Sequence, residues 1–94
     1  MEKINLKQAA KNAMEFFLEA NAAVISTAKV VHGTAMLEEV KKEGGYWSIT
    51  IGYDEQNELD MLSMRRRKFK EFRVDDETGE VVSMKIREVK SYDE

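Results

Sequence analysis

Apolar residues recur at helical spacing in the first quarter of the chain. From Asn5 to about Ala22 they fall at every third or fourth position, while Lys7 and Glu15 lie on other faces. Asn5 precedes Gln8 by three residues, which is the spacing of a capping box and predicts Asn5 as the N-cap. The pattern therefore predicts one amphipathic helix, and its alanines would allow close packing against whatever the helix covers.

The spacing changes to strict alternation between Tyr46 and Tyr53. Every second residue in this stretch is large and apolar or aromatic, which is the period of a β-strand with one buried face. The intervening residues are small or polar and are expected to form the other, polar face. The positions predicted to face the core are Trp47, Ile49, Ile51 and Tyr53.

A β-hairpin is the clearest pattern in the last third of the chain. Its arms are residues 68–74 and 81–89, and the acidic turn between them contains Gly79, which can take the positive φ that such a turn needs. The apolar residues that alternate in the two arms are predicted to be fold determinants. They are Phe72, Val74, Met84 and Ile86, with Val82 on the same face of the second arm.

The remaining segments allow more than one structure. Residues 22–31 mix branched residues typical of strands with alanines that could extend the helix, and residues 36–42 favour the first arm of another hairpin over a helix. Residues 54–64 indicate a connection. Together the elements predict an α+β fold, in which an N-terminal helix packs on a curled antiparallel sheet of three to four strands.

Composition limits the size and class of the protein. The 94 residues predict a single domain spanning residues 1–94, and the net charge of −3 argues against general affinity for nucleic acid. The chain has no Cys, which excludes disulfides and thiolate metal sites. No apolar run approaches the length of a membrane span, and no signal peptide is recognisable, so a cytoplasmic location is expected.

Groups that would indicate an enzyme are sparse. His32 is the only His, it lies beside Gly33 at a predicted turn, and there is no Cys with which it could pair. The many carboxylates lack the spacing of an acid–base pair or a metal site, and Gly44-Gly45 lacks the Lys-Ser/Thr of a phosphate loop. We therefore expect neither catalysis nor a cofactor.

A run of basic residues leads into the closing hairpin, and two interpretations of it are open. Phe69 and Phe72 are interleaved with the cations, as in platforms that bind single-stranded nucleic acid. Alternatively, the cations occupy a solvated face and pair with Glu71 and with the acidic residues of the turn. A site for an acidic protein partner is the remaining interpretation. The cations are Arg65, Arg66, Arg67, Lys68 and Lys70.

The aromatic residues of the alternating strand divide between its two faces. Trp47 and Tyr53 share the face predicted to be buried, whereas Tyr46 lies on the opposite face. Because exposed Tyr is enriched at interfaces, Tyr46 is a candidate contact for a partner. A small-ligand or inhibitory module built on the concave sheet around Trp47 is a further hypothesis.

Two stretches together resemble known families. They are Gly45-Tyr46-Trp47-Ser48-Ile49-Thr50-Ile51 and the run from Phe72 through Asp75-Asp76-Glu77-Thr78-Gly79-Glu80 to Met84. They are similar to the Gly-Trp-x-Val-x-Val strand and the Asp-x-x-Gly-Glu hairpin of the gas-vesicle accessory protein O family, and to the Trp and Gly-turn signatures of PepSY-like small domains. The resemblance covers residues 36–92, and either family would imply a non-enzymatic binding or assembly module without a cofactor.

The sequence thus predicts a protein-binding or assembly accessory module. A protein partner is expected, nucleic acid bound by residues 65–70 is the alternative, and no membrane span is predicted. An edge of the basic strand left exposed could also pair with a second copy of the chain, so a homodimer is a further hypothesis. The residues assigned tentatively to partner binding are Tyr46, Arg65, Arg66, Arg67, Lys68 and Lys70.

Overall fold

The structure, a computed structural model, describes residues 3–23, 28–31, 33–57 and 66–87. These residues form one helix and one antiparallel sheet, which confirms the predicted α+β fold. The sheet has five strands in the described residues, because a three-residue strand precedes the first hairpin. The elements are α1 (Leu6–Ala23), β1 (Ala28–Val30), β2 (Met36–Glu43), β3 (Tyr46–Asn57), β4 (Arg66–Asp75) and β5 (Val81–Ile86).

The long strand β3 lies at the centre of the sheet. Strands β1 and β2 share one edge of β3, β1 beside residues 55–57 and β2 beside residues 46–52. Strand β4 pairs along the other edge of β3 over ten residues, and β5 pairs with the far side of β4. The strand that carries the basic run is therefore an interior strand, so the exposed edge predicted for it is wrong, and β5 is an outer strand.

Helix α1 begins at the predicted residue. The side chain of Asn5 accepts a hydrogen bond of 2.9 Å from the backbone N–H of Gln8, which satisfies one free donor of the first turn. Ala9, Ala13 and Phe17 follow at intervals of four residues and are fully buried against the sheet. The two alanines have no bulk beyond Cβ, so the helix backbone can lie close to β3 and β4, and Phe17 is the large side chain that the helix buries completely.

The ring of Phe17 lies among aromatic residues from two strands. Its centroid is 4.9 Å from that of Tyr53 on β3 and 6.2 Å from that of Phe72 on β4. Burial raises the pKa of the Tyr53 hydroxyl, and Glu55 adds to the effect. The core is completed by Ile49, Ile51 and Val74, and the helix-facing side of β3 is thus buried as predicted.

The opposite face of β3 is polar, as predicted, but its central residues are not in solvent. Ser48 and Thr50 are buried, although no second helix covers them in the described part of the chain. Long charged side chains lie over this face instead: Arg87 donates a hydrogen bond of 3.1 Å to the Thr50 hydroxyl. The same guanidinium lies 2.8 Å from Glu39 on β2, so the side chain of Arg87 extends across this face of β3.

The ambiguous segments are partly resolved. Residues 36–42 belong to β2, which confirms the predicted hairpin arm, and residues 22–23 continue the helix. Residues 54–57 extend β3 and are not part of a connection, whereas residues 58–65 and His32 lie outside the described residues. No described helix has the length and apolar character needed to cross a membrane.

The closing hairpin has the predicted turn, with a φ of 78° at Gly79. Phe72 and Val74 on β4 are fully buried and are fold determinants as expected. Met84 and Ile86 on β5 are 44% and 72% exposed, so the same prediction is wrong for them. The helix packs mainly on β3 and β4 and contacts β5 less, so Met84 and Ile86 stay exposed although Val81 packs against the core.

Candidate protein-interaction surface

The structure divides the basic run between two faces of the sheet. Directly opposed residues of antiparallel strands share a face, and β4 sets Lys68 opposite Tyr53 and Lys70 opposite Ile51, which places both on the helix side. Arg67 lies opposite Asp54 on the other side. Arg65 lies outside the described residues. The described cations therefore do not form one continuous platform.

Arg67 is engaged within the sheet by two carboxylates. Its guanidinium lies 2.8 Å from Glu38 on β2 and 3.2 Å from Asp54 on β3, and it donates a further hydrogen bond to the carbonyl of Thr34. The hydrogen bond to Glu38 raises the pKa of Arg67, and the one to Asp54 adds to the rise. Much of the positive charge at this position is thus balanced by the protein itself.

Lys70 lies over aromatic rings of the core. Its ammonium is 5.8 Å from the centroid of Phe17 and 5.7 Å from that of Tyr53, within range of cation–π attraction. Its aliphatic stem covers the end of the core, so Lys70 has a packing role on the helix side of the sheet. Lys68, its neighbour on the same face, is half-buried as well.

The acidic residues proposed to neutralise the basic run have other partners. Asp75 accepts hydrogen bonds from the backbone N–H groups of Thr78 and Glu77, which lower its pKa. Asp76 is buried and pairs with Lys42 and, at 3.8 Å, with Lys3. The predicted pairing between this turn and the run is wrong for these two residues, because the turn uses its carboxylates to fix its own backbone and the end of β2.

Glu71 and Glu39 complete a layer of ion pairs on the face away from the helix. Glu71 lies 3.5 Å from Lys85 on β5, and Glu39 lies 2.8 Å from Arg87. The hydrogen bond from Arg87 lowers the pKa of Glu39, as does the charge of Lys41. Most of the charge on this face is therefore paired across neighbouring strands, which leaves no strongly charged patch for a partner of either sign among these residues.

Tyr46, the other predicted contact residue, is 40% exposed at the start of β3. It lies opposite Glu43 on β2 and Asp75 on β4, on the face predicted for it. The basic run begins at the other end of β4, so the structure does not bring Tyr46 together with residues 66–70. The two parts of the predicted site are separate.

Trp47 lies against the segment that precedes the helix. Its indole N–H donates a hydrogen bond of 3.2 Å to the carbonyl of Ile4, and the ammonium of Lys42 is 5.0 Å from its ring centroid. The sheet surface around Trp47 is thus occupied by the chain's own residues. The hypothesis of a small-ligand site there gains no support from this arrangement.

Sequence reasoning missed a surface that the fold creates at β5. Met84 and Ile86 lie opposite Phe72 and Lys70, so they extend the helix-facing side of the sheet beyond the helix. Phe16, which is 40% exposed, reaches the same region, since its ring centroid is 6.0 Å from that of Phe72. We refer to Phe16, Val82, Met84 and Ile86, together with the outer edge of β5, as the β5 surface.

The backbone of β5 offers hydrogen-bonding groups at this surface. The N–H of Arg87 donates to the carbonyl of Phe69 on β4, so residues 83, 85 and 87 direct their backbone groups toward β4. Because the direction alternates along a strand, the N–H and C=O groups of Met84 and Ile86 point outward. No other strand of the described residues pairs with this edge.

The sequence carried one signal for this surface. A strand that comes last in a succession of hairpins tends to lie at an edge, and Val81–Ile86 has Lys85 as its only charge. The alternation of apolar residues in this strand matches that of a half-buried strand, so the pattern alone predicts a core position for Met84 and Ile86. Exposure of the apolar face depends on how far the helix reaches across the sheet, which the pattern does not specify.

No protein-family model, curated protein or solved structure matches this chain. The described residues also contain no group of three or more His, Asp or Glu side chains able to hold a metal ion.

Proposed function

We propose that this chain is a non-enzymatic protein-binding module that takes up an extended segment of a partner along the outer edge of β5. One observation supports this proposal above the others: outward backbone groups at Met84 and Ile86 lie beside exposed apolar side chains. In this mode of recognition, backbone hydrogen bonds give affinity and alternate side chains of the added strand give specificity. The partner is expected to be extended, with apolar residues at every second position.

An assembly role, as implied by the resemblance to gas-vesicle accessory proteins, would be a narrower form of the same proposal. It requires that the module join protein subunits, which an open strand edge can do. The expected cytoplasmic location belongs to this proposal and rests on composition alone.

Site-specific photo-cross-linking in cells that express the chain tests the proposal. A benzophenone amino acid is placed at Ile86, at Tyr46 and, as a control, at the exposed turn residue Glu77. We expect a discrete protein adduct from Ile86 and none from Glu77. Equal adducts at all three positions, or none at Ile86, would overturn the β5 site, and an adduct at Tyr46 alone would move the site to the other face.

A blocking variant separates the backbone edge from the apolar side chains. Met84→Pro removes an outward N–H and no bond to β4, because proline is tolerated where a strand's N–H points away from its neighbour. The Ile86→Lys variant keeps the backbone and places a charge in the apolar patch. In these variants the benzophenone is placed at Val82, and both substitutions are expected to abolish the adduct formed at this edge. The circular dichroism spectrum is expected to stay unchanged.

Nucleic-acid binding remains the alternative, and the division of the basic run argues against it. A single-strand platform needs its cations and rings on one surface, whereas Lys70 and Arg67 lie on opposite faces of the sheet. Affinity for a fluorescent oligonucleotide that falls steeply with salt and with Lys68→Gln plus Lys70→Gln would support this alternative. The matched control is Lys85→Gln, a cation of β5 on the other face.

A further inference from the structure

We infer that the strand taken up at the β5 surface is β5 of a second copy of this chain, paired antiparallel about a two-fold axis at Met84. The inference rests on the proposed function, since both use the same edge. It goes further by naming the partner and the register, and these follow from which backbone groups face outward and from where the charges lie.

The outward backbone groups limit the possible registers. Two β5 strands can hydrogen-bond only if residues with outward groups lie opposite each other, and these include Met84 and Ile86. Three symmetric arrangements of these two residues meet the condition. The one with Ile86 opposite itself sets Lys85 against Arg87 of the second copy, and directly opposed like charges disfavour it. In one of the other two, Met84 lies opposite the same residue of the second copy; in the other, Met84 lies opposite Ile86.

Charge distinguishes between the two registers. If Met84 lies opposite Ile86, Lys85 lies opposite Lys85 of the second copy, and directly opposed like charges destabilise a strand pair. If Met84 lies opposite itself, Lys85 lies opposite Ser83, which is uncharged and small. The register with Met84 opposite itself avoids the repulsion between the two Lys85 side chains, and it is the register that we propose.

The other charges of the strand favour the same pairing. Lys85 is already paired with Glu71 at 3.5 Å, and Arg87 with Glu39 at 2.8 Å, within one chain. A second β5 therefore approaches an edge whose cations are balanced by their own sheet. This matters because an unbalanced basic edge would repel an identical one.

The proposed register also covers the apolar side chains. Ile86, which is 72% exposed in the single chain, approaches Val82 of the second copy, a 49% exposed residue at the register shift between the pairs Arg73–Ser83 and Val74–Val81. Both Met84 side chains meet at the axis, with Phe16 of each helix close by. Apolar area that the single chain leaves in water is thus removed on both copies at once.

Because the chain has no Cys, disulfide formation can test the register at single positions. In the proposed register, Met84→Cys places two cysteines in a hydrogen-bonded pair, where Cα atoms lie about 5.5 Å apart and a disulfide can form. Lys85→Cys is the matched control, because its two copies would lie beyond the disulfide limit of about 7 Å. We expect a covalent dimer from Met84→Cys at least tenfold faster than from Lys85→Cys in a glutathione buffer.

Sedimentation of the unmodified chain gives an independent measurement. We expect a concentration-dependent monomer–dimer equilibrium, and we expect Ile86→Lys to weaken the association at least tenfold. A chain that stays monomeric up to millimolar concentration, or a faster disulfide from Lys85→Cys, would overturn the inference. An Ile86 photo-adduct with a different protein would also overturn it while leaving the proposed function standing, whereas the absence of any Ile86 adduct overturns both.

Discussion

The buried carboxylate of Asp76, in the turn between β4 and β5, is paired with the ammonium of Lys42 near the end of β2. The backbone of Asp76 is engaged too: its N–H donates to the carbonyl of Gly45, and its carbonyl accepts from the N–H of Ile4. One turn residue therefore joins the β2–β3 turn, the closing hairpin and the segment that leads into the helix.

Replacing this residue should destabilise the fold. Asp76→Ala leaves both backbone bonds possible but removes the acceptor of Lys42, and we expect the free energy of unfolding to fall by about 2–3 kcal/mol. Urea denaturation, monitored by the fluorescence of Trp47, measures this free energy of unfolding. The control is Glu77→Ala at the next, exposed position, which should change stability by less than about 0.5 kcal/mol. Equal effects of the two substitutions would refute the role assigned to the Asp76 carboxylate.

Gly52 marks a place where ion-paired side chains lie directly on the backbone of β3. A Cβ at this position would meet Glu38, with its Cγ at 2.8 Å, and the guanidinium of Arg67 at 2.9 Å. We expect Gly52→Ala to cost about 1–3 kcal/mol in thermal or urea unfolding, because the pair must move away. In a Glu38→Ala background the same substitution should cost clearly less. An undiminished cost there would mean that the strain lies elsewhere.

The two hairpin turns provide a matched comparison. Gly44 and Gly79 both have positive φ, 55° and 78°, so alanine is strained at each by about 1 kcal/mol. At Gly79 a Cβ would also lie 3.0 Å from the amide nitrogen of Asn12, which donates to the Gly79 carbonyl at 2.8 Å; at Gly44 the space is open. We expect Gly79→Ala to lower the melting temperature more than Gly44→Ala. The reverse order would contradict the contact between helix and turn.

Stability should fall in acid as two carboxylates are protonated. The native pKa of Asp75 is lowered by the N–H groups of Thr78 and Glu77, and that of Glu39 by Arg87. A lowered native pKa contributes stability that is present above the unfolded values of about 3.9 and 4.3 and is lost as the pH falls through the native values. Urea midpoints measured from pH 7 to pH 2 should show this decline.

Neutral variants test the assignment of that decline. Asp75→Asn and Glu39→Gln should each flatten the acid limb of the curve, whereas Glu19→Gln on the exposed face of the helix should leave its shape unchanged. An acid limb that survives in the double variant would show that other carboxylates are responsible.

The fold could be predicted to a large extent, because local patterns specify most of its elements. The N-cap Asn5, the alternation around Ile49 and the turn at Gly79 each depend on near neighbours in sequence, and each has its predicted role. The buried state of Thr50 could not be predicted. Arg87 covers Thr50 but is distant in sequence, and it reaches Thr50 only after β4 has paired with β3 and β5 with β4.

The candidate site was predicted less well. Residues 65–70 form a run in the sequence, but a strand sends alternate side chains to opposite faces, so Arg67 and Lys70 are separated by the sheet itself. Conversely, Phe16 and Met84 lie far apart in the chain and come to one surface only because the helix covers β5 less than it covers β3 and β4. Surfaces of this kind depend on tertiary packing and leave no contiguous signal.

The order of the elements along the chain has a consequence for folding. Strands β2 to β5 follow one another as neighbouring antiparallel hairpins, whereas α1 precedes them and finds its buried surface on β3 and β4. Most of the stability of a helix in a protein comes from the packing of its amphipathic face, and the apolar face of α1 has nothing to cover until those two strands are paired. During synthesis the helix is therefore made before the strands that stabilise it.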